Sequence, residues 1–222
     1  MANIQVVQEV AGTALVSTSP GTLNMTVTAG NLLHLWVLYL DIGPTITVSD
    51  SLNGSWGAAT AVLSNGQGGN RWNSYALNNT LGGALTITLT TSPVNSSVGW
   101  LAIEISGQSK QSNVFNSFSS IYLPSPTNAT DNVASPQAFN TTQPVLLLGL
   151  ASSTGTIATG TGFATGGSAV NGIGTTMYSE NKRVTDTVGT SATFTMTSGS
   201  TDANAMAVMY TEKNETSVAW IT

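Results

Sequence analysis

Cysteine is absent from the 222-residue chain, and histidine occurs once, at position 34. Without thiolates or several imidazoles, the chain can form neither a disulfide framework nor a structural zinc site. A Ser-His-Asp triad would have to use His34, which lies inside a strongly apolar run. We therefore interpret His34 as a core or interface residue, and we expect a protein that is not an enzyme, with no catalytic residue, metal or cofactor.

Charge is also scarce, at 7% of residues against roughly 25% in a typical soluble domain. Five basic and ten acidic residues give a net charge of −5, which offers no basic surface for a phosphate backbone and excludes nucleic acid as a partner. The longest apolar run covers residues 32–40 and is too short for a helix across a membrane. The first residues resemble no secretory signal, so we expect synthesis in a cytoplasm.

What the chain does have is alternation of apolar and polar residues with a period of two, which is typical of half-buried strands. Leu85 to Leu89 is a clear case, with threonine as the outward residue. Turn signals such as Asn53-Gly54 separate such runs at short spacing. The pattern predicts an all-β sandwich. Four segments apolar on both faces predict central strands, namely 32–40, 98–105, 145–150 and, more weakly, 205–210.

The strands of the two halves of the chain follow one another in a similar order. The matching segments are 31–35 with 144–148, Tyr75 with Tyr178, 85–89 with 192–196, and 100–105 with 206–210. We therefore predict a jelly-roll-like β-sandwich built from two similar halves, 1–106 and 137–222, that bury apolar faces against each other. Residues 107–136, with three prolines, predict a crossover. One domain is the favoured interpretation, and two independent domains are the alternative.

Two segments near the end of the chain need separate interpretations. The glycine-rich segment Gly155 to Gly174 lacks the helix and the Gly-Lys-Ser/Thr sequence of a phosphate loop, so it predicts a mobile hairpin or surface loop. The apolar tail containing Val218, Trp220 and Ile221 follows a polar spacer. We interpret this tail as docking either on its own domain or on a neighbouring subunit.

The acidic residues offer few candidates for chemistry. Glu104 lies on the strand face opposite Leu101, Ile103 and Ile105, beside Trp100 and Ala102, and we interpret it as a surface or interface carboxylate rather than the acid of a glycosidase. Single aspartates in loops usually cap turns, so no calcium ligand is named among them. These aspartates are Asp41, Asp50, Asp186 and Asp202.

Three aromatic residues carry the main alternative to a purely structural role. Trp56, Trp72 and Tyr75 lie among asparagines and an arginine. Such residues either fill a core or stack on the faces of sugar rings. We favour the core, and keep glycan binding by these three residues as the alternative.

The segment Ala29-Gly30-Asn31-Leu32-Leu33, followed by Val48-Ser49-Asp50-Ser51 and Trp56, resembles β-sandwich domains of bacteriophage structural proteins and bacterial surface proteins. The resemblance extends through residues 85–105 and the echoing second half. In this chain the turn reads Asp50-Ser51-Leu52-Asn53-Gly54-Ser55-Trp56, with Asn and Gly exchanged relative to the usual motif. The resemblance implies no catalytic residue.

The resemblance, together with the start at an unprocessed Met, leads us to expect a virion location. The expected function is a non-enzymatic capsid decoration (cement) protein or a tail or fibre component. Its expected partners are its own copies, with a trimer favoured, and other virion proteins such as the major capsid or tail proteins, with a host glycan as a further alternative. A carbohydrate-binding module or adhesin ranks second, and a glycan hydrolase ranks third.

Overall fold

The computed structural model describes residues 3–12, 20–40, 45–64, 70–78, 80–92, 98–108, 118–124, 130–134, 144–170, 174–185, 193–197 and 202–213. Within these ranges the chain is made of β-strands that pair antiparallel, which confirms the predicted all-β sandwich. The described ranges contain no helix with the length and hydropathy that a membrane span requires.

The strands fall into two sets along the chain. Those of the first half are β1 (Gln5–Ala11), β2 (Gly21–Val27), β3 (Leu32–Leu40), β4 (Thr45–Asp50), β5 (Gly54–Ser55), β6 (Ala61–Ser64), β7 (Asn70–Leu77), β8 (Gly83–Ser92) and β9 (Gly99–Ser106). Those of the second half are β10 (Phe118–Pro124), β11 (Thr130–Ala134), β12 (Val145–Ser153), β13 (Ile157–Thr159), β14 (Ala164–Val170), β15 (Thr176–Val184), β16 (Thr193–Thr197) and β17 (Asp202–Thr211).

The first half forms two sheets. Inner sheet 1 has the strand order β1-β9-β3-β7-β6, and outer sheet 1 has the order β2-β8-β4-β5. Apart from the added edge strand β6, these are the two strand orders of an eight-stranded jelly roll. The first half is therefore a complete sandwich, which we call roll 1.

The second half repeats this arrangement, and we call it roll 2. Inner sheet 2 has the order β10-β17-β12-β15-β14, and outer sheet 2 has the order β11-β16-β13. Strands β3, β7, β8 and β9 of roll 1 occupy the positions of β12, β15, β16 and β17 of roll 2. These are the strands whose sequences match between the halves, so the internal echo reflects a repeated topology.

Three apolar cores separate four layers of sheet. The first core lies between outer sheet 1 and inner sheet 1, and the third lies between inner sheet 2 and outer sheet 2. The central core joins the two inner sheets, with Leu38 and Ile103 on one side and Leu148 and Val208 on the other. Each inner sheet is thus covered on both faces. This explains why β3, β9 and β12 are apolar on both faces, as predicted for central strands.

Two segments differ from the sequence-based expectation. Residues 107–136, predicted as a crossover, contain β10 and β11, which pair with β17 and β16. β11 has a single large apolar residue, and β10 has one short apolar stretch, residues 121–123, between segments rich in Ser, Asn and Pro, so neither shows a clear alternation. The glycine-rich segment contains β13 and β14. Gly166 and Gly167 lie where β14 passes close to Glu9 of roll 1, and β-propensity alone does not reveal such a strand.

A partly buried ion pair closes one end of the junction between the rolls. Glu212 Oε2 accepts hydrogen bonds from Arg183 at 2.8 Å and from the backbone N–H of Ile4 at 3.2 Å. The backbone N–H of Lys213 donates to the Gly107 carbonyl at 2.8 Å. The start of roll 1 and the last described residues of roll 2 therefore meet at the same place.

We expect the intact chain to unfold in one cooperative transition, because unfolding either roll alone would expose the central core of the other to water. Differential scanning calorimetry should give equal calorimetric and van't Hoff enthalpies. Leu148→Ala should destabilise the chain by about 2 to 5 kcal/mol and keep the single transition. Two separate transitions would show instead that the rolls are independent domains.

Candidate functional site

The turn after β4 is built around Asp50, which is only 6% exposed. Its Oδ1 accepts hydrogen bonds from the backbone N–H groups of Leu52 at 2.8 Å and Asn53 at 2.6 Å. Its Oδ2 accepts the indole N–H of Trp56 at 2.6 Å, and the Asn53 amide donates to both oxygens at 3.0 Å. Since N–H donors occupy both oxygens, Asp50 fixes the turn and the position of Trp56 and has no free oxygen to bind a cation.

The three aromatic residues proposed for glycan binding do not come together. Trp56 and Tyr75 lie in the first core, 8% and 1% exposed, whereas Trp72 lies in the central core, 3% exposed. Residues 72 and 75 belong to opposite faces of β7, because successive side chains of a strand alternate between faces. The structure therefore forms no sugar platform from these residues, since stacking needs an exposed ring face.

Each of these aromatic side chains has a structural contact instead. The ring of Trp72 meets that of Trp36 edge to face, with centroids 4.7 Å apart and an angle of 65°. Tyr75 donates its hydroxyl hydrogen to the Ile46 carbonyl at 3.2 Å, and it accepts the Asn73 amide at 3.2 Å. Burial raises the pKa of Tyr75. These contacts tie β7 to its neighbours on both faces.

Glu104 lies on the predicted face of β9, together with Trp100 and Ala102 of the first core, but it is 1% exposed. The prediction of a surface or interface carboxylate is therefore wrong. Its Oε1 accepts the backbone N–H of Thr28 at 2.8 Å and the Asn31 amide at 2.6 Å, while Oε2 accepts the Gln8 amide at 2.5 Å. The donors come from the turn between β2 and β3 and from β1, which are distant in sequence. Glu104 thus anchors that turn to inner sheet 1.

His34 lies in the junction between the rolls and is fully buried. Its Nδ1 is hydrogen-bonded to the Tyr210 hydroxyl of roll 2, and its Nε2 lies 3.4 Å from the Ser74 hydroxyl. Burial lowers the pKa of His34 to about 3 and raises that of Tyr210, so both groups are neutral at physiological pH. His34 is an interface residue, as expected. No substrate in water can reach its ring nitrogens.

Glu9 forms a contact between the two rolls that the sequence did not predict. Its Oε2 accepts the backbone N–H of Gly167 at 2.7 Å and the Ser179 hydroxyl, so a β1 residue of roll 1 binds β14 and β15 of roll 2. A Cβ atom at Gly166 would lie 2.1 Å from Ser179 Oγ and 2.7 Å from Glu9 Oε1. The paired glycines therefore make room for the carboxylate. The adjacent glycines in β14 were the available signal, since the polarity of β1 does not alternate.

Several of the candidate site residues proposed from the sequence lie outside the described ranges. Asp41, Asp186 and the tail residues Val218, Trp220 and Ile221 are outside the described residues, and only the backbone of Asp202 is described, in β17. Within the described part of the chain, no group of three or more His, Asp or Glu side chains could hold a metal ion.

The outward face of outer sheet 1 carries no charged side chain along β2, β8 and the first five residues of β4. Its members are Thr22, Asn24, Thr26, Thr45, Thr47, Ser49, Ala84, Thr86, Thr88, Thr90 and Ser92. Cross-strand pairs such as Asn24 and Thr86 bond to each other, with Thr86 Oγ1 donating to Asn24 Oδ1 at 2.7 Å. The face is hydroxyl-rich and neutral, which suits packing or hydration better than chemistry on a substrate.

No family model and no curated protein matches this sequence. Among solved structures, the ANXUR1 extracellular domain from Arabidopsis thaliana is similar at 9% identity and a TM-score of 0.26, over 95% of this chain and 90% of that chain. The T=1 Penaeus vannamei nodavirus is similar at 10% identity and a TM-score of 0.26, over 94% and 82%. At such TM-scores the alignments support neither a common function nor a detailed common fold.

Asp50→Ala should destabilise the chain by about 2 to 3 kcal/mol, because it leaves the Trp56 indole N–H and two backbone N–H groups without their acceptor. Urea titration followed by Trp fluorescence measures this loss, and Thr22→Ala on the outward face is the control. Adding calcium or a chelator should leave the wild-type midpoint unchanged. A calcium-dependent midpoint abolished by Asp50→Ala would contradict the structural role.

Acid should weaken the fold through His34. Below about pH 6.5 the unfolded chain binds a proton that buried His34, with a pKa of about 3, does not bind, so the free energy of unfolding falls as pH falls. This contribution is about 1.4 kcal/mol per pH unit between those two pKa values. Urea titrations at pH 7 and 4.5 should show a loss about 2 kcal/mol larger for wild type than for His34→Gln. Equal losses would contradict burial of a neutral imidazole.

Proposed function

We propose that the chain is a non-enzymatic structural subunit of a bacteriophage virion, either a capsid decoration (cement) protein or a tail or fibre component. One observation carries the non-enzymatic part of this proposal. The described side chains with the best capacity for acid-base chemistry are each engaged in holding the fold. Asp50 forms a turn, Glu104 anchors a second turn, Glu9 joins the rolls and His34 lies between them.

The sequence resemblance supports the virion part of the proposal. The residues that carry the resemblance lie in two hydrogen-bonded turns of roll 1. Asn31 belongs to the turn that Glu104 anchors, and Asp50 and Trp56 form the second turn. The motif residues therefore form the turns that hold roll 1 together. The proteins that this chain resembles are structural proteins of phages and bacterial surfaces.

The composition of the surface agrees with a structural role in an assembly. A subunit enclosed by copies or by a shell needs few charges, and the outward face of outer sheet 1 is neutral and rich in hydroxyls. The alternative of a carbohydrate-binding module loses its predicted platform, because Trp56, Trp72 and Tyr75 are buried. In the proposed function the chain acts in the virion after synthesis in the host cytoplasm, and its partners are the major capsid or tail proteins.

Binding to phage particles tests this proposal directly. Purified chain should co-sediment with capsids or with tails that lack it, reach a fixed number of copies per particle, and show no turnover of a polysaccharide panel. Deleting residues 216–222 should weaken this binding if the tail docks on a neighbouring protein. A chain that adds to neither particle, or one that hydrolyses a glycan and loses this activity in Glu104→Gln, would contradict the proposal.

A further inference from the structure

We propose that two copies of this chain pair through one flank of the stack, formed by the edge strands β1 and β14. We call this surface the β1/β14 flank. The inference deepens the proposed function, on which its biological context rests, by naming the surface through which subunits assemble. It concerns a second copy of the chain rather than a capsid or tail protein.

The first support is that the two edge strands lie one above the other. β1 is the end strand of inner sheet 1 and β14 is the end strand of inner sheet 2. The Glu9 carboxylate bonds the Gly167 N–H at 2.7 Å, which fixes β1 against β14. Packed sheets are roughly 10 Å apart, so the flank presents two strand edges at about that separation.

The second support is that neither edge, as far as the chain is described, carries an outward charge or a proline, although each has a register shift, which also discourages pairing. Natural edge strands commonly carry lysine, other charges or proline that prevent pairing with another chain. β14 has the sequence Ala-Thr-Gly-Gly-Ser-Ala-Val, without a charge or a proline, and the only charge on β1 is Glu9, which points into the junction. Each strand has one register shift, and the shift in β14 brings Gly167 to Glu9.

The third support is exposed apolar surface on the same two strands. Among the described residues, three large apolar side chains are exposed, namely Val7 at 46%, Leu81 at 59% and Val170 at 51%. Val7 lies on β1 and Val170 on β14, so two of the three belong to the flank. A neighbouring strand would cover these side chains by cross-strand packing.

Because the flank has two strand edges, it favours a second copy of the chain over a peptide as its binding partner. A single extended peptide could pair with β1 or with β14, and would leave the other edge open. A second copy presents the same two edges at the same separation. A two-fold axis along the stacking direction pairs β1 with β1 and β14 with β14, both antiparallel, and extends each inner sheet from five strands to ten.

The size of the flank is sufficient for such a contact. Two seven-residue strands about 24 Å long, in two layers that together span about 20 Å, bury roughly 1,000 Å² over both copies, which is the lower bound for a specific interface. The contact is two-fold, whereas sequence analysis favours a trimer. The inference therefore predicts a dimer as the basic unit.

Sedimentation equilibrium of the full chain tests the inference, with Val7→Lys/Val170→Lys as the test variant and Leu81→Lys as the matched control. Leu81→Lys adds one of the two charges of the double variant, at a similarly exposed apolar residue away from the flank. Wild type and the control should have twice the mass of one chain at micromolar concentration. The double variant should dimerise roughly tenfold or more weakly, because it places a lysine, the charge that commonly blocks edge pairing, on both strands of the flank. The far-UV circular dichroism spectra of all three should be the same, which shows that the double variant still folds.

Hydrogen exchange of the wild type gives a second readout that needs no variant. Backbone amides of residues 168–170 should exchange more slowly as the concentration rises. Wild type with the mass of one chain throughout, no such concentration dependence, or a double variant that pairs as well as Leu81→Lys would each overturn the inference. A dimer that binds no phage particle would contradict the proposed function only, and particle binding by a monomer would contradict the inference only.

Discussion

Burial of apolar surface between the two inner sheets is the interaction on which the rest of the structure depends. A strand such as β3 or β12 that is apolar on both faces is stable in water only when both faces are covered. The outer sheets cover one face of each inner sheet, and the inner sheets cover each other. Four layers follow from this requirement, with the uncharged, threonine-rich face of outer sheet 1 left outside.

His34, Tyr210, Glu9 and Glu212 enter the central junction with hydrogen-bond partners, whereas the indole N–H groups of Trp36 and Trp72 are buried there without one. His34 and Tyr210 are both neutral, since burial shifts their pKa values away from the physiological range in opposite directions. Glu9 and Glu212 accept N–H groups from the facing roll or from the chain start. A buried carboxylate without such donors would cost several kcal/mol, so these bonds also fix how the rolls meet. The junction side chains that are capable of acid-base chemistry therefore fix this geometry.

Part of this architecture could be predicted from the sequence. Alternation and turn signals were enough for the all-β class, the central strands and the order shared by the two halves, because burial on one or both faces leaves a direct pattern in the residues. The face of Glu104 was predictable for the same reason. Its burial was not, because its donors Thr28, Asn31 and Gln8 lie more than 70 residues away along the chain. β11 and β14 were missed because tertiary contacts rather than propensity make them strands, whereas β10 was missed because its short apolar stretch lies between segments rich in Gln, Ser, Asn and Pro.

The central claim is that the residues capable of acid-base chemistry are buried where structural elements meet. His34 tests this claim most directly because it is the single histidine of the chain. NMR titration of its imidazole resonances gives one unambiguous curve. The account predicts a neutral ring in one tautomer, with chemical shifts that stay constant from pH 8 to 5. A titration with a pKa near 6.5 would show a solvated imidazole, and would contradict both the closed junction and the structural role assigned to it.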